Sequence, residues 1–123
     1  MNPVTLSAAL LLPLLLSACQ QTKRPEAAPV PPEAQANQIS AVIAGTRYLK
    51  YQCGFRELPD DERIEGAARS EAHQRGWEPP QNLNIQSLAF YQQLLQDSTP
   101  VAVQCEQFQQ LLQPFLATLP RPE

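Results

Sequence analysis

Apolar residues recur at the three- and four-residue steps of an amphipathic helix in four segments of this chain. The first segment begins after Asn37, which can serve as an N-cap, and its pattern stops at Gly54. The apolar stripe consists of Ile39, Val42, Ile43, Thr46 and Leu49. This pattern predicts one helix that buries a single face.

The second segment opens with an acidic run at residues 60–62, which suits the free amides and positive dipole end of a helix N-terminus. It is expected to run to Arg75, with Gly76 just beyond the last turn. The inner face consists of Ile64, Ala67, Ala68 and Ala72. Because these side chains are mostly small and bury little area, the helix is expected to depend for its stability on packing against the neighbouring helices and Trp77.

Two further segments complete the pattern. Asn84 can cap a third helix, and Pro100 suits the first position of a fourth, where its missing amide would be unpaired anyway. The third carries Ile85, Leu88, Tyr91, Leu94 and Leu95, and the fourth carries a buried stripe of Val101, Cys105, Phe108, Leu112 and Phe115. Pro114 should kink or end the fourth helix. Since strand patterns are weak throughout, the sequence predicts an all-α four-helix bundle.

An apolar run from Leu6 to Leu16 precedes these helices and ends in Leu-Ser-Ala-Cys at residues 16–19. The run is too short to cross a bilayer, which needs about 20 apolar residues, and is typical of an export signal. Small residues before Cys19 allow a peptidase to approach, and the cysteine sulfur then carries the lipid. The alternative is a short buried helix that ends in cysteine. We expect residues 1–18 to be a lipoprotein signal peptide and Cys19 to be lipidated.

The expected location is the periplasmic face of the outer membrane. Gln20 follows the cysteine, whereas Asp at that position usually retains a lipoprotein in the inner membrane of Gram-negative bacteria. Residues 19–36 contain four prolines, which favour an extended tether. Residues 37–118 would then form one helical domain, and residues 119–123 a short tail.

The cysteine count predicts a disulfide. With Cys19 committed to lipid, Cys53 and Cys105 remain as an even pair in an oxidising compartment. A crosslink that closes about 50 residues stabilises a fold by about 4 kcal/mol in the chain-entropy model. It would join the end of the first helix to the fourth. A zinc site is disfavoured because the chain has no CxxC pair and a single histidine.

Charge and composition disfavour catalysis and nucleic-acid binding. The net charge of -3 comes without a basic face of the kind that nucleic-acid binders carry. His73 lies on a polar helix flank, where a solvated surface residue is a simpler explanation than a catalytic base. Helix capping likewise explains the acids at 60–62 better than glycosidase chemistry does. The sequence therefore predicts a binding protein that is not an enzyme and needs no cofactor or metal.

Several short motifs occur together in the order and spacing of a known family. They are Leu16-Ser17-Ala18-Cys19-Gln20-Gln21, Tyr48-Leu49-Lys50-Tyr51-Gln52-Cys53-Gly54, Leu58-Pro59-Asp60-Asp61, Arg75-Gly76-Trp77, Thr99-Pro100 with Cys105, and Gln113-Pro114-Phe115-Leu116. On these motifs the chain resembles the pilotin lipoproteins of type II secretion, of the PulS, OutS and GspS kind. The resemblance implies a four-helix lipoprotein with one disulfide between the two body cysteines.

The resemblance also implies a function. A pilotin binds the disordered C-terminal segment of a secretin subunit in the periplasm, and the segment folds into a helix in an apolar groove. The lipoprotein-sorting machinery then carries the pair to the outer membrane, where the secretin assembles. Such recognition is physically apt, because an amphipathic peptide helix can fill an exposed apolar strip.

The groove is expected on the first and third helices, where apolar side chains exceed the needs of the bundle. The candidates are Val42, Leu49, Leu88, Tyr91 and Leu95. For any one of them, an ordinary core position is the simpler explanation of helical spacing. The alternative function is that of a periplasmic enzyme-inhibitor lipoprotein, such as a lysozyme inhibitor. It would need a rigid polar loop, and prolines dominate the one sizeable candidate, residues 78–82.

Overall fold

The computed structural model describes residues 29–121 and contains five helices in that range. They are α1 (Pro32–Gln52), α2 (Asp61–Gln74), α3 (Leu83–Gln96), α4 (Val101–Leu111) and the short α5 (Gln113–Leu116). The all-helical prediction is confirmed for this part of the chain, and none of its helices is long and apolar enough to cross a membrane. The expected signal peptide, Cys19 and the first part of the tether lie outside the described residues.

Helix α1 begins at Pro32, so the start expected at Asn37 is wrong. Pro31 occupies the N-cap position with extended backbone, and Pro32 takes the first helical position, where proline loses no hydrogen bond. The side chain of Gln35 donates to the carbonyl oxygen of Val30 at 2.7 Å and secures this first turn. Helical structure therefore extends into residues 32–36 of the expected tether.

Helix α1 is the centre of the bundle, and α2, α3 and α4 each pack against it. The expected stripe is buried apart from Val42, which is only partly covered. The core cluster consists of Ile39, Ile43, Ile64, Ala68, Ala72, Leu83 and Phe115, with Trp77 packed at its edge. The expected inner face of α2 is thus confirmed.

The limits of α2 follow from local interactions. A side-chain oxygen of Asp60 accepts a hydrogen bond from the backbone amide of Arg63 at 2.9 Å, which satisfies one free amide of the first turn. At the other end Gly76 adopts a φ of 77°, a left-handed conformation that favours glycine and stops the helix. Both ends agree with the expectation from sequence.

The faces of α3 and α4 differ from the expectation. On α3 the fully buried residues are Leu83 and Ser87, whereas Ile85 is 66% exposed. The helix also begins at Leu83 instead of after Asn84. On α4 and the residues after it, only Phe115 of the expected stripe is buried, and Val101 is exposed. The reason is position, since α4 lies at the edge of the bundle and packs mainly on α1.

Helix α4 is also held covalently. Cys53 at the end of α1 is bonded to Cys105 in the middle of α4, with 5.7 Å between the Cα atoms, and the expected disulfide is confirmed. Farther along, α4 stops at Leu111, and Pro114 takes an early position in α5, where its missing amide costs nothing. The bundle is therefore joined from its first helix to its fourth.

Candidate binding groove

An apolar groove runs between α1, α3 and α4, with a cavity volume of about 300 Å³. It is lined by Ala41, Val42, Ala44 and Gly45 of α1, Phe90 and Leu94 of α3, Phe108 and Leu111 of α4, and Leu112. Every lining residue is apolar and uncharged. A ligand in this groove would therefore present an apolar surface and would gain its affinity mainly from burial.

The floor of the groove is formed by small residues of α1. Ala41, Ala44 and Gly45 leave room above the helix backbone that larger side chains would fill. Leu112 lies directly against this floor, because a Cβ atom built on Gly45 would stand 3.0 Å from its Cδ1 atom. A larger residue at position 45 would push Leu112 into the groove. The depth of the groove thus depends on the missing side chain of Gly45.

Aromatic contacts hold the α4 wall in place. The ring of Phe108 meets the ring of Tyr48 edge-on, with 5.4 Å between the centroids, and Tyr48 also contacts Tyr91 at 6.5 Å. Burial, helped by nearby Tyr91 and Asp97, raises the pKa of Tyr48, so its hydroxyl stays neutral. One turn beyond Phe108, Leu111 is 75% exposed. The rim of the groove therefore presents apolar surface to water.

Of the five candidate groove residues, the structure places only Val42 at the groove. Leu49 is fully buried in the core, and Tyr91 packs on Tyr48 while its hydroxyl accepts a hydrogen bond from Gln52 Nε2 at 3.0 Å. Leu88 and Leu95 are about half exposed, on a face of α3 that does not line the groove.

Three other groove residues, Leu94, Phe108 and Leu112, stood on the predicted apolar stripes but were not assigned to the groove, and the remaining ones were not singled out. The small floor residues of α1 carry no amphipathic signal, since alanine and glycine occur on buried and exposed faces alike. Phe90 and Leu94 lie two turns beyond Leu83 and Ser87, respectively, and so continue the inward face of α3. That register could have been recognised by treating Leu83 and Phe90 as one stripe.

A larger cavity of about 560 Å³ lies where the start of α1 meets the 78–82 loop. Its lining is mixed, with the exposed carboxylates of Glu33 and Glu78 beside Pro32 and Pro80. Both carboxylates are exposed, so this cavity offers no buried charge to a ligand. Between residues 29 and 121, no three His, Cys, Asp or Glu side chains come close enough to hold a metal ion. The apolar groove is therefore the stronger candidate site.

Comparison with known proteins gives one family by sequence and by structure. The model of the type II secretion system pilotin lipoprotein family (PulS_OutS) matches residues 16–117. The pullulanase secretion protein PulS of Klebsiella pneumoniae is 44% identical over 109 residues, which cover 86% of this chain and 87% of that protein.

The fold is also found in solved structures. A chain of the Klebsiella pneumoniae type II secretion system outer membrane complex, which contains PulD, PulS and the PulC HR domain, gives a TM-score of 0.71 at 48% identity. The match covers 74% of this chain and 100% of that one. A pilotin/secretin peptide complex gives a TM-score of 0.70 at 40% identity, with 72% of this chain and 95% of that chain covered.

Proposed function

This chain belongs to the type II secretion system pilotin lipoprotein family, and we propose that its groove between α1, α3 and α4 binds the C-terminal segment of a secretin subunit as an amphipathic helix. The protein acts as a pilot and chaperone that directs the secretin to the outer membrane and supports its assembly. The observation that carries this proposal is the uncharged groove itself. The related pilotin/secretin peptide complex supports it.

The dimensions of the groove suit the side chains of a helix better than a whole helix. Its volume of about 300 Å³ is at the lower end of known ligand sites, so a peptide helix would lie across it and insert only its apolar stripe. Burial of each large aliphatic side chain contributes about 1.5–3 kcal/mol. A few such side chains offset the roughly 2–5 kcal/mol that folding of a disordered segment costs.

Circular dichroism tests the binding directly. The mature chain is mixed with a synthetic peptide from the C-terminus of the secretin that it serves. We expect the helical signal of the mixture to exceed the sum of the separate signals, because the peptide becomes helical only in the groove. A scrambled peptide of the same composition is the control. A simply additive spectrum with the native peptide would count against groove binding.

The lipid anchor completes the proposed pilot role. The family match begins at residue 16 and so includes the expected Leu-Ser-Ala-Cys motif. We infer that residues 1–18 are removed, that Cys19 is lipidated, and that the lipoprotein-sorting machinery delivers the protein with its bound secretin. The family consists of pilotin lipoproteins and not of known enzymes, and the proposal gives this chain no catalytic role.

Replacement of the lipidated cysteine should leave the secretin in the inner membrane. In Cys19→Ala the groove is intact but no lipid enters the sorting route, so secretin multimers should accumulate in the inner membrane. Membrane fractionation followed by immunoblotting measures their location. Gln20→Asp is the matched variant that keeps the lipid but changes its destination. It should retain the lipidated protein, and the secretin bound to it, in the inner membrane. Unchanged outer-membrane secretin in Cys19→Ala would contradict the pilot role.

A further inference from the structure

The apolar groove does not end at Leu112 but continues into a smaller cavity of about 160 Å³, whose mainly apolar lining includes two charged residues. The two cavities share Val42, Leu111 and Leu112 in their walls. Beyond these residues the wall that α3 supplies is replaced by α2, which contributes Glu71 and Arg75. A helix lying in the groove therefore reaches a charged pair at this end, whereas no charged residue lines the groove itself.

Arg75 is held in a defined orientation at the end of α2. Its Nη2 atom donates a hydrogen bond to Oε1 of Glu71 at 3.0 Å, and its guanidinium carbon lies 5.2 Å from the centre of the Trp77 ring. The side chain is nevertheless 51% exposed. Of the three guanidinium nitrogens of Arg75, only Nη2 has a hydrogen-bond partner among the described residues, so several N–H donors remain available.

We propose that Arg75 binds a carboxylate of the secretin helix where that helix leaves the groove beside Leu112. This inference rests on the proposed function and adds a polar contact to it. The planar guanidinium matches a carboxylate through two parallel hydrogen bonds. Glu71 is a poorer site for a cation, because it is less exposed than Arg75 and one of its oxygens is already bonded. The carboxylate is either the peptide's own C-terminus or an Asp or Glu side chain.

Such a contact sets the direction of the bound helix. Apolar side chains in an uncharged groove fit in either direction at similar free energy, whereas a single cation at one end favours the orientation that brings a carboxylate to it. Because Arg75 is half exposed, its contribution is that of a solvated ion pair. We expect about a two- to fivefold effect on affinity at low ionic strength.

The test compares two arginines, one within α2 and one just after its last residue, that each pair with a glutamate four residues earlier. Arg69 pairs with Glu65 at 3.9 Å and donates a hydrogen bond from Nη2 to the carbonyl oxygen of Gln81 at 3.3 Å, but it lines neither the groove nor the adjoining cavity. Calorimetric titration would use the mature chain from residue 19, with Cys19→Ser so that no lipid is needed, and the secretin C-terminal peptide. Arg75→Gln should weaken binding by about two- to fivefold, and Arg69→Gln by less than about 1.5-fold.

Modified peptides distinguish the two sources of the carboxylate. If the terminal carboxylate binds Arg75, a peptide with an amidated C-terminus should bind Arg75→Gln and the unsubstituted protein with equal affinity. If an Asp or Glu side chain binds Arg75, a peptide in which the acidic residues are replaced by Asn or Gln should instead bind the two proteins with equal affinity. In this second case, changing that peptide acid to Lys should restore the affinity that Arg75→Glu loses with the native peptide.

Three results would overturn the proposal. Equal effects of Arg75→Gln and Arg69→Gln on the native peptide would remove Arg75 from the site while leaving groove binding intact. An Arg75 effect that persists with both modified peptides would exclude a carboxylate as its ligand. Failure of the native peptide to bind the unsubstituted protein would overturn the proposed function and, with it, this inference.

Discussion

Leu94→Asp is expected to weaken binding of the secretin peptide by about 3 kcal/mol, which raises the Kd about a hundredfold. Leu94 lines the wall that α3 contributes to the groove. In the free protein an aspartate there stays hydrated, because the groove is open. In the complex the peptide would cover it, and the groove lining contains no cation to pair with it.

The adjacent residue provides the control for this substitution. Leu95 is 49% exposed and does not line the groove, so Leu95→Asp introduces the same charge one residue farther along the same helix. It should leave the Kd within about twofold, as expected for a surface substitution. Calorimetric titration measures both affinities, and thermal unfolding checks that both variants fold. A large loss of affinity in Leu95→Asp with none in Leu94→Asp would place the binding face on the side of α3 that carries Leu95, as the sequence patterns had predicted.

Removal of the disulfide is expected to lower the free energy of unfolding by about 4 kcal/mol. The two cysteines are separated by 52 residues, so the crosslink restricts a long loop in the unfolded chain. The position of α4 in the folded protein also depends on the disulfide, because Gln104 is the one buried residue of α4 and packing of this helix contributes little. For a small domain, whose total stability is about 5–15 kcal/mol, this is a large fraction.

Urea unfolding of the Cys53→Ser/Cys105→Ser double variant, followed by circular dichroism, measures this change. Val103→Ser, an exposed position on the same helix, is the control and should change stability by about 0.5 kcal/mol or less. Because Phe108 and Leu111 line the groove from α4, the double variant should also bind the secretin peptide more weakly. A stability loss below about 1 kcal/mol would mean that packing alone holds α4.

Local interactions explain the parts of the fold that the sequence predicted well. The N-cap at Asp60 and the left-handed glycine at position 76 act within a few residues of the chain, so their effect can be recognised without knowing the neighbours. The start of α1 was misplaced because consecutive prolines suit both an extended tether and a helix N-terminus. Only the capping geometry around Pro31 decides between them.

What the sequence determined by itself was the helical class, the central stripe of α1, the extent of α2, the pairing of the two body cysteines and the family. Each of these depends on spacing or composition along the chain. Helix packing, in contrast, determines which apolar face of α3 is turned to the groove, since Phe90 and Leu94 line it while Leu88 and Leu95 are half exposed on another face. The groove is the space left between three helices, so its position depends on how they pack together and is not encoded in the periodicity of any one of them.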